Sequence, residues 1–165
     1  IHAFGGRCFA GWDLLGGAHA VDLSTAGGRE MLLAACRDER IRYIHFGPPC
    51  STFCRAYVNY TFSPGTGSRS AAVPQGNGRI PKEGIGNKLA CLVAEAVVLL
   101  TRLGKWWSIE QPSGSLMFKL RSFLGLRGLP GFLSVVFDQC MYGLEELVDD
   151  GAAATGCRHR KRTEV

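Results

Sequence analysis

Two apolar runs of β type, each ended by proline beside a reactive side chain, constrain this chain more than any other feature. Ile41–Phe46 runs into Gly47-Pro48-Pro49-Cys50-Ser51-Thr52-Phe53, and Lys105–Ile109 runs into Glu110-Gln111-Pro112 about sixty residues later. Both runs are rich in β-branched and aromatic residues, the composition of strands. Proline fixes φ and has no N–H to give a ladder, so each strand stops where its motif begins. Pro48 and Pro49 also bias Gly47 and Pro48 to extended backbone, which makes a stiff exit that aims the Cys50 thiol at a fixed point. Strand-end groups in one α/β sheet can face a common crevice, so a cysteine and a glutamate placed this way are a plausible nucleophile and acid.

The rest of the chain supplies the helices such a sheet needs. Ala18–Leu23 reads as a short strand ending near Asp22, and Gly28–Arg37 as a helix with Met31, Leu32 and Leu33 apolar. Residues 57–87 are rich in Gly, Ser and Pro and show no period, which predicts a long functional loop. Lys88–Leu103 is the strongest helix, stopped by Gly104 in the position after the cap. Its apolar run is broken by Glu95 and Arg102, so it is expected to be a buried helix and not a membrane span. Ser115–Leu124 reads as a short amphipathic helix, with Ser113 or Ser115 to cap it. Leu133–Phe137 is another strand, and residues 145–156 a surface loop. Strands alternating with helices predict an α/β fold: a doubly wound, mainly parallel sheet covered on both faces. With 165 residues there is material for a single domain. The chain starts at Ile1 and stops at Val165 within what reads as the start of a strand, the pattern of a piece of a longer chain.

Seven cysteines at irregular spacings argue against a disulfide framework and for an intracellular, reducing compartment. Cys50-x3-Cys54 with Cys140, Cys157 and His159 is a conceivable zinc set, but no second closely spaced pair accompanies it, so no metal is expected. The net charge is +5, and Arg158, Arg160, Lys161 and Arg162 contribute four of it. Such a basic tail suits an anionic partner, although a solvated charge run is the commoner reason for one.

Taken together, Gly47 to Ala56, Gly86-Asn87, Ile109 to Pro112 with Ser115, Phe137 to Gly143 and Arg160 to Thr163 resemble the DNA cytosine-5 methyltransferase family. The closest likeness is to a divergent group found in open reading frames of protists and mobile elements. The resemblance implies an S-adenosylmethionine-dependent methyltransferase-like fold, truncated here. It implies Cys50 as the nucleophile that adds to cytosine carbon 6, and Glu110 as the acid at ring nitrogen 3. The base would have to leave the duplex to reach them. S-adenosylmethionine would be bound by Gly5 and Gly6, a remnant of the first-strand glycine turn, by Asp22 after the next strand, and by Gly47 and Pro48. Ser51, Arg55, Arg160 and Arg162 would contact the substrate. DNA is the implied partner, RNA is not excluded, and no membrane is expected. The chain departs from the family in its acid motif, Glu-Gln-Pro where the family has Glu-Asn, in Cys54 where the family tends to have Ser, in a glycine turn shorter than the family's, and in having no target-recognition domain after the tail within this chain. A non-catalytic nucleic-acid-binding or assembly module that keeps the fold is therefore the competing expectation. Trp106 and Trp107 are expected to form an apolar wall beside Glu110, and Arg55 to sit beside Cys50.

Overall fold

A computed structural model of the chain describes residues 21–54, 67–138 and 162–164. The first helix, α1, spans Ala26–Arg37. It starts two residues before the sequence pattern suggested, because Thr25 is its N-cap and the Thr25 hydroxyl accepts the Gly28 N–H at 3.1 Å. The strand β1, Tyr43–Phe46, follows. Helix α2 spans Pro81–Arg102 and leads into β2, Trp106–Ile109. The two strands pair in parallel, Tyr43 opposite Trp106 and Phe46 opposite Ile109.

Helix α2 begins seven residues before the expected Lys88, inside what reads as loop. Gly84 and Gly86 hide its first turns from a propensity argument. Pro81 in the first turn and an acidic Glu83 just after it are the start signals that outweigh them. Its far end is where the sequence put it. Gly104 has φ +67°, the left-handed conformation that glycine adopts without strain. The Gly104 N–H bonds the Thr101 carbonyl at 3.1 Å and the Lys105 N–H bonds the Leu100 carbonyl at 2.9 Å, which closes the helix in a Schellman pattern. The Lys105 ammonium then donates to the carbonyls of Cys36 and Asp38, both at 2.7 Å, and so satisfies the end of α1 as well.

Helices α1 and α2 pack on each other and α2 packs on β2. The core lies between them and one face of the strand pair. Phe46 and Ile109 are buried from the sheet, Leu32, Leu33 and Cys36 from α1, and Ala96, Val97 and Leu100 from α2. By length and composition α2 could also cross a membrane. In this fold its apolar residues from Ala90 to Leu100 line the core, and Glu95 reaches Arg29 of α1 at 2.5 Å on the outside.

After β2 the chain continues through Glu110 into β3, Gln111–Pro112. A 3₁₀ turn at Leu116–Lys119, a single α-turn α3 at Arg121–Leu124 and another 3₁₀ turn at Gly125–Gly128 replace the continuous helix expected over 115–124. Leu120 takes extended backbone, ψ 143°, and its burial breaks the run in two. In so short a segment tertiary anchoring outweighs helix propagation. Strand β4 covers Val136–Asp138 and β5 covers Arg162–Glu164. Strand β5 lies between β3 and β4 and is antiparallel to both, with Gln111 opposite Glu164 and Asp138 opposite Arg162. The β/α alternation did not foresee this antiparallel sheet. The strand expected over 18–23 is only partly covered, and Val21, Asp22 and Leu23 are not in a strand.

Candidate active site

The two motifs occupy one edge of the parallel pair. Phe46 ends β1 and Ile109 ends β2 as register partners, so the segments that follow leave the sheet side by side. Adjacent strands lie roughly 4.8 Å apart. The Glu110 N–H donates to the Phe46 carbonyl at 2.9 Å and carries the ladder one residue further.

Three hydrogen bonds beyond the ladder fasten the motifs together. The Gln111 side chain is buried, and its amide N–H donates to the Pro48 carbonyl at 2.5 Å. The Ser115 hydroxyl donates to Gln111 Oε1 at 3.0 Å, which fixes which end of the amide faces Pro48. The Leu116 N–H donates to the Phe53 carbonyl at 2.9 Å. Proline at 48 has no N–H but keeps its carbonyl, and Gln111 reaches that carbonyl from the next strand.

Between these anchors the chain turns at Cys50. The Cys50 carbonyl accepts N–H groups from Phe53 at 2.8 Å and Cys54 at 3.0 Å, one helical turn that leaves the Cys50 thiol half-buried at the strand exit. Thr52 and Phe53 are buried beneath it. The Arg69 guanidinium lies over the Phe53 ring, its central carbon 3.8 Å from the ring centre. It donates to Thr52 Oγ1 at 3.3 Å, to the Glu83 carbonyl at 2.8 Å, to the Pro74 carbonyl at 2.6 Å and to Asn87 Oδ1 at 2.8 Å. A buried cation is tolerated only with that many acceptors around its fork. Gly86 makes room for it, since a Cβ there would stand 2.9 Å from Thr52 Oγ1 and 3.2 Å from the guanidinium. The buried Glu83 carboxylate in turn accepts the Ser68 N–H at 2.8 Å and holds the loop that carries Arg69.

The Glu110 carboxylate is partly exposed, its side chain at 31%, and Oε2 stands 3.8 Å from His45 Nε2. The apolar wall expected of Trp106 and Trp107 is not built. Glu110 is three and four residues beyond them along an extended chain, roughly 10–13 Å away at ~3.3 Å per residue. Trp106 is 77% exposed at the start of β2, whereas Trp107 turns to the core, packs on Phe132 and donates its indole N–H to Thr101 Oγ1 at 2.9 Å.

Asp22 lies in the turn before α1. Its Oδ1 accepts the Ser24 hydroxyl at 2.6 Å and the Ser24 N–H at 2.9 Å, and these bonds, the hydroxyl first, hold the carboxyl below its usual range. Its carbonyl accepts from Thr25, so the residue builds the entry to α1. Gly47 and Ser51 are exposed beside the strand exit and Pro48 is half-buried. Gly5, Gly6, Arg55 and Arg160 lie outside the described residues, as do Cys140, Cys157 and His159. Among the described residues no three His, Cys, Asp or Glu side chains converge to hold a metal ion. Arg162 lies in β5 opposite Asp138, so the tail enters the fold at least at that point, as the start of a strand and not as a solvated charge run alone.

Sequence reasoning missed the anchors. Gln111 counted only as a departure from a Glu-Asn pair. Arg69 was one cation in a loop of small residues. His45 and Ser108 were read as ordinary strand residues. For Arg69 the signal was available: an arginine between Ser68 and Ser70 in a Gly-, Ser- and Pro-rich stretch, ahead of Gly86-Asn87, is an odd composition for a solvated loop. No family model, curated protein or solved structure matches this chain.

Proposed function

We propose that the chain is a cytosine-5 DNA methyltransferase-like domain in which Cys50 is the nucleophile and Glu110 the acid. The observation that supports this reading is the clamp from Gln111 to the Pro48 carbonyl, which ties the cysteine turn to the glutamate strand at one sheet edge. Chemistry that needs a thiol and a carboxyl on one flat ring needs those groups held mutually rigid, and two strand-end motifs cross-linked by hydrogen bonds supply that. Cys50 would form a bond to cytosine carbon 6 and push electrons toward carbon 5. Glu110 would give its proton to ring nitrogen 3 and so neutralise the charge that gathers there.

S-adenosylmethionine, when bound, supplies the methyl group that carbon 5 attacks. The residues present fit it in kind. Asp22 offers an exposed carboxylate at the entry to α1, where both bonds from Ser24 fall on Oδ1 and Oδ2 can face a ribose diol. Gly47 leaves open backbone at the end of β1. The same engagement of Asp22 with Ser24 favours the competing reading, a non-catalytic nucleic-acid-binding module, in which Asp22 is a turn residue alone.

A DNA duplex carrying cytosine fluorinated at carbon 5 separates the two readings. With cofactor present, the enzyme reading expects a covalent adduct on the Cys50 peptide by mass spectrometry, lost in Cys50→Ser with cofactor affinity retained. Glu110→Gln should slow transfer by roughly 10²–10⁴, the usual contribution of a positioned acid. An adduct on another cysteine, or none while DNA binding is tight, leaves the non-catalytic module as the answer.

A further inference from the structure

The face of the β1–β2 pair turned from the core carries hydrogen-bonding side chains that packing does not require. Tyr43 and His45 alternate on β1, and Trp106 and Ser108 on β2, with His45 directly opposite Ser108. The Ser108 hydroxyl lies 2.7 Å from both the Tyr43 phenol oxygen and His45 Nδ1. The other ring nitrogen, Nε2, faces Glu110 Oε2 across 3.8 Å. The line Tyr43, Ser108, His45, Glu110 thus runs along the sheet and ends on the carboxyl group assigned above as the acid.

We propose that His45 is the residue that supplies Glu110 with its proton, with Ser108 and Tyr43 holding the imidazole so that Nε2 is the atom that gives it. This rests on the reading of Glu110 as the acid. A serine hydroxyl has one proton and two lone pairs. In the imidazolium both ring nitrogens carry a proton, so Ser108 Oγ accepts from His45 Nδ1–H and turns its own proton toward the Tyr43 oxygen. Exchange is then confined to Nε2. In the step itself the Nε2–H bond of the imidazolium breaks and an O–H bond forms on Glu110. A carboxylate and an imidazolium become a carboxylic acid and a neutral imidazole, and no electrons are transferred between redox states. The imidazole takes its next proton from water, since its side chain is 47% exposed. The gap of 3.8 Å exceeds a hydrogen bond and closes by rotation of the half-exposed glutamate or through one bridging water. His45 is therefore a positioning and proton-supplying residue that acts through Glu110 and does not touch the base.

Two measurements on the full chain test this. The first reads the contact without any turnover. In ¹⁵N spectra of the imidazole, neutral His45 should carry its proton on Nδ1. The signals should move in Ser108→Ala and in Glu110→Gln and stay fixed in Cys50→Ser. Signals indifferent to both substitutions overturn the proposal. The second reads methyl transfer to DNA. His45→Gly and His45→Gln should lose roughly 10–100-fold in rate, the size that outer hydrogen-bond partners contribute. Cofactor and DNA affinities should hold, and added imidazole should restore His45→Gly but not Glu110→Gln. A purely structural loss would not respond to imidazole, so a slow variant without rescue, or a variant at full rate, overturns the role of His45 alone. If the unsubstituted protein forms no Cys50 adduct with fluorinated DNA, the reading of Glu110 fails and takes the proposal with it.

Discussion

Gln111 shows what one residue does in this fold. Its amide satisfies the Pro48 carbonyl on one side and the Ser115 hydroxyl on the other, in a place that solvent does not reach. Replacement by leucine keeps the bulk and orphans both partners. A buried polar group left unpaired costs about 1–3 kcal/mol, so Gln111→Leu should lower the urea unfolding free energy by that order. It should also loosen the Cys50 turn, seen as faster exchange of the Phe53 and Cys54 amides. An unchanged urea midpoint would mean that the clamp is not part of the folded state in solution. Asp38 offers a pH counterpart at the end of α1. The Arg40 guanidinium, bonded to both carboxylate oxygens, holds the Asp38 carboxyl at about 2, against an ordinary 3.8. The folded state therefore favours the charged form. The contribution is whole above the ordinary value and fades as pH falls from near 4 toward 2. Asp38→Asn should remove that part of the acid sensitivity, and direct NMR titration of the Asp38 carboxyl checks it. Little of this residue scale was legible beforehand. A sequence shows that Cys50 and Glu110 end strands, but which side chains brace them depends on register, and register follows from the pairing of Phe46 with Ile109.

At the scale of elements, the parallel unit formed by β1, α2 and β2 is the part that pattern made visible. Its strand ends and the stop at Gly104 follow from local chemistry: proline, β-branching and a left-handed glycine. The start of α2 was not visible, because Gly84 and Gly86 are poor helix formers whose reason for being there is distant. Gly86 clears space for Arg69, which comes from another segment altogether. Helix α2 supplies much of the core, and its energetics should be correspondingly steep. Leu100 is fully buried at the junction of α2 with α1 and the strands. Leu100→Ala should cost about 2–5 kcal/mol, the range for a buried leucine whose cavity only partly collapses. Leu103, at the exposed cap of the same helix, should tolerate alanine within roughly 0.5 kcal/mol. Thermal or urea unfolding of the pair decides it, and equal costs would mean that α2 does not pack as described.

Over the whole molecule, the position of β5 changes what the basic end of the chain means. The charge run predicts a solvated arm, and although the last residues read as the start of a strand, nothing in the sequence says which strands it would join. Pairing supplies what composition lacks. Strand β5 is the central strand of β3–β5–β4, so residues near the end of the chain hold Gln111–Pro112 on one side and Val136–Asp138 on the other. The tail thus has two separable roles. One is structural: its backbone gives β3 a ladder partner directly after Glu110. The other is electrostatic, if the partner is DNA, through Arg158, Arg160, Lys161 and Arg162. Changing these four to glutamine keeps the backbone and removes the charge. It should reduce the salt dependence of DNA affinity by roughly 0.9 in logarithmic slope for each phosphate no longer neutralised, while the amides of Gln111 and Val136–Asp138 stay protected. Deleting residues 158–165 should reduce the slope equally and also expose those amides to exchange, leaving Phe46 and Leu100 protected in the core around β1, β2 and α2. A slope unchanged in both variants would remove the tail from nucleic-acid binding. Protection unchanged in the deletion would remove β5 from the fold.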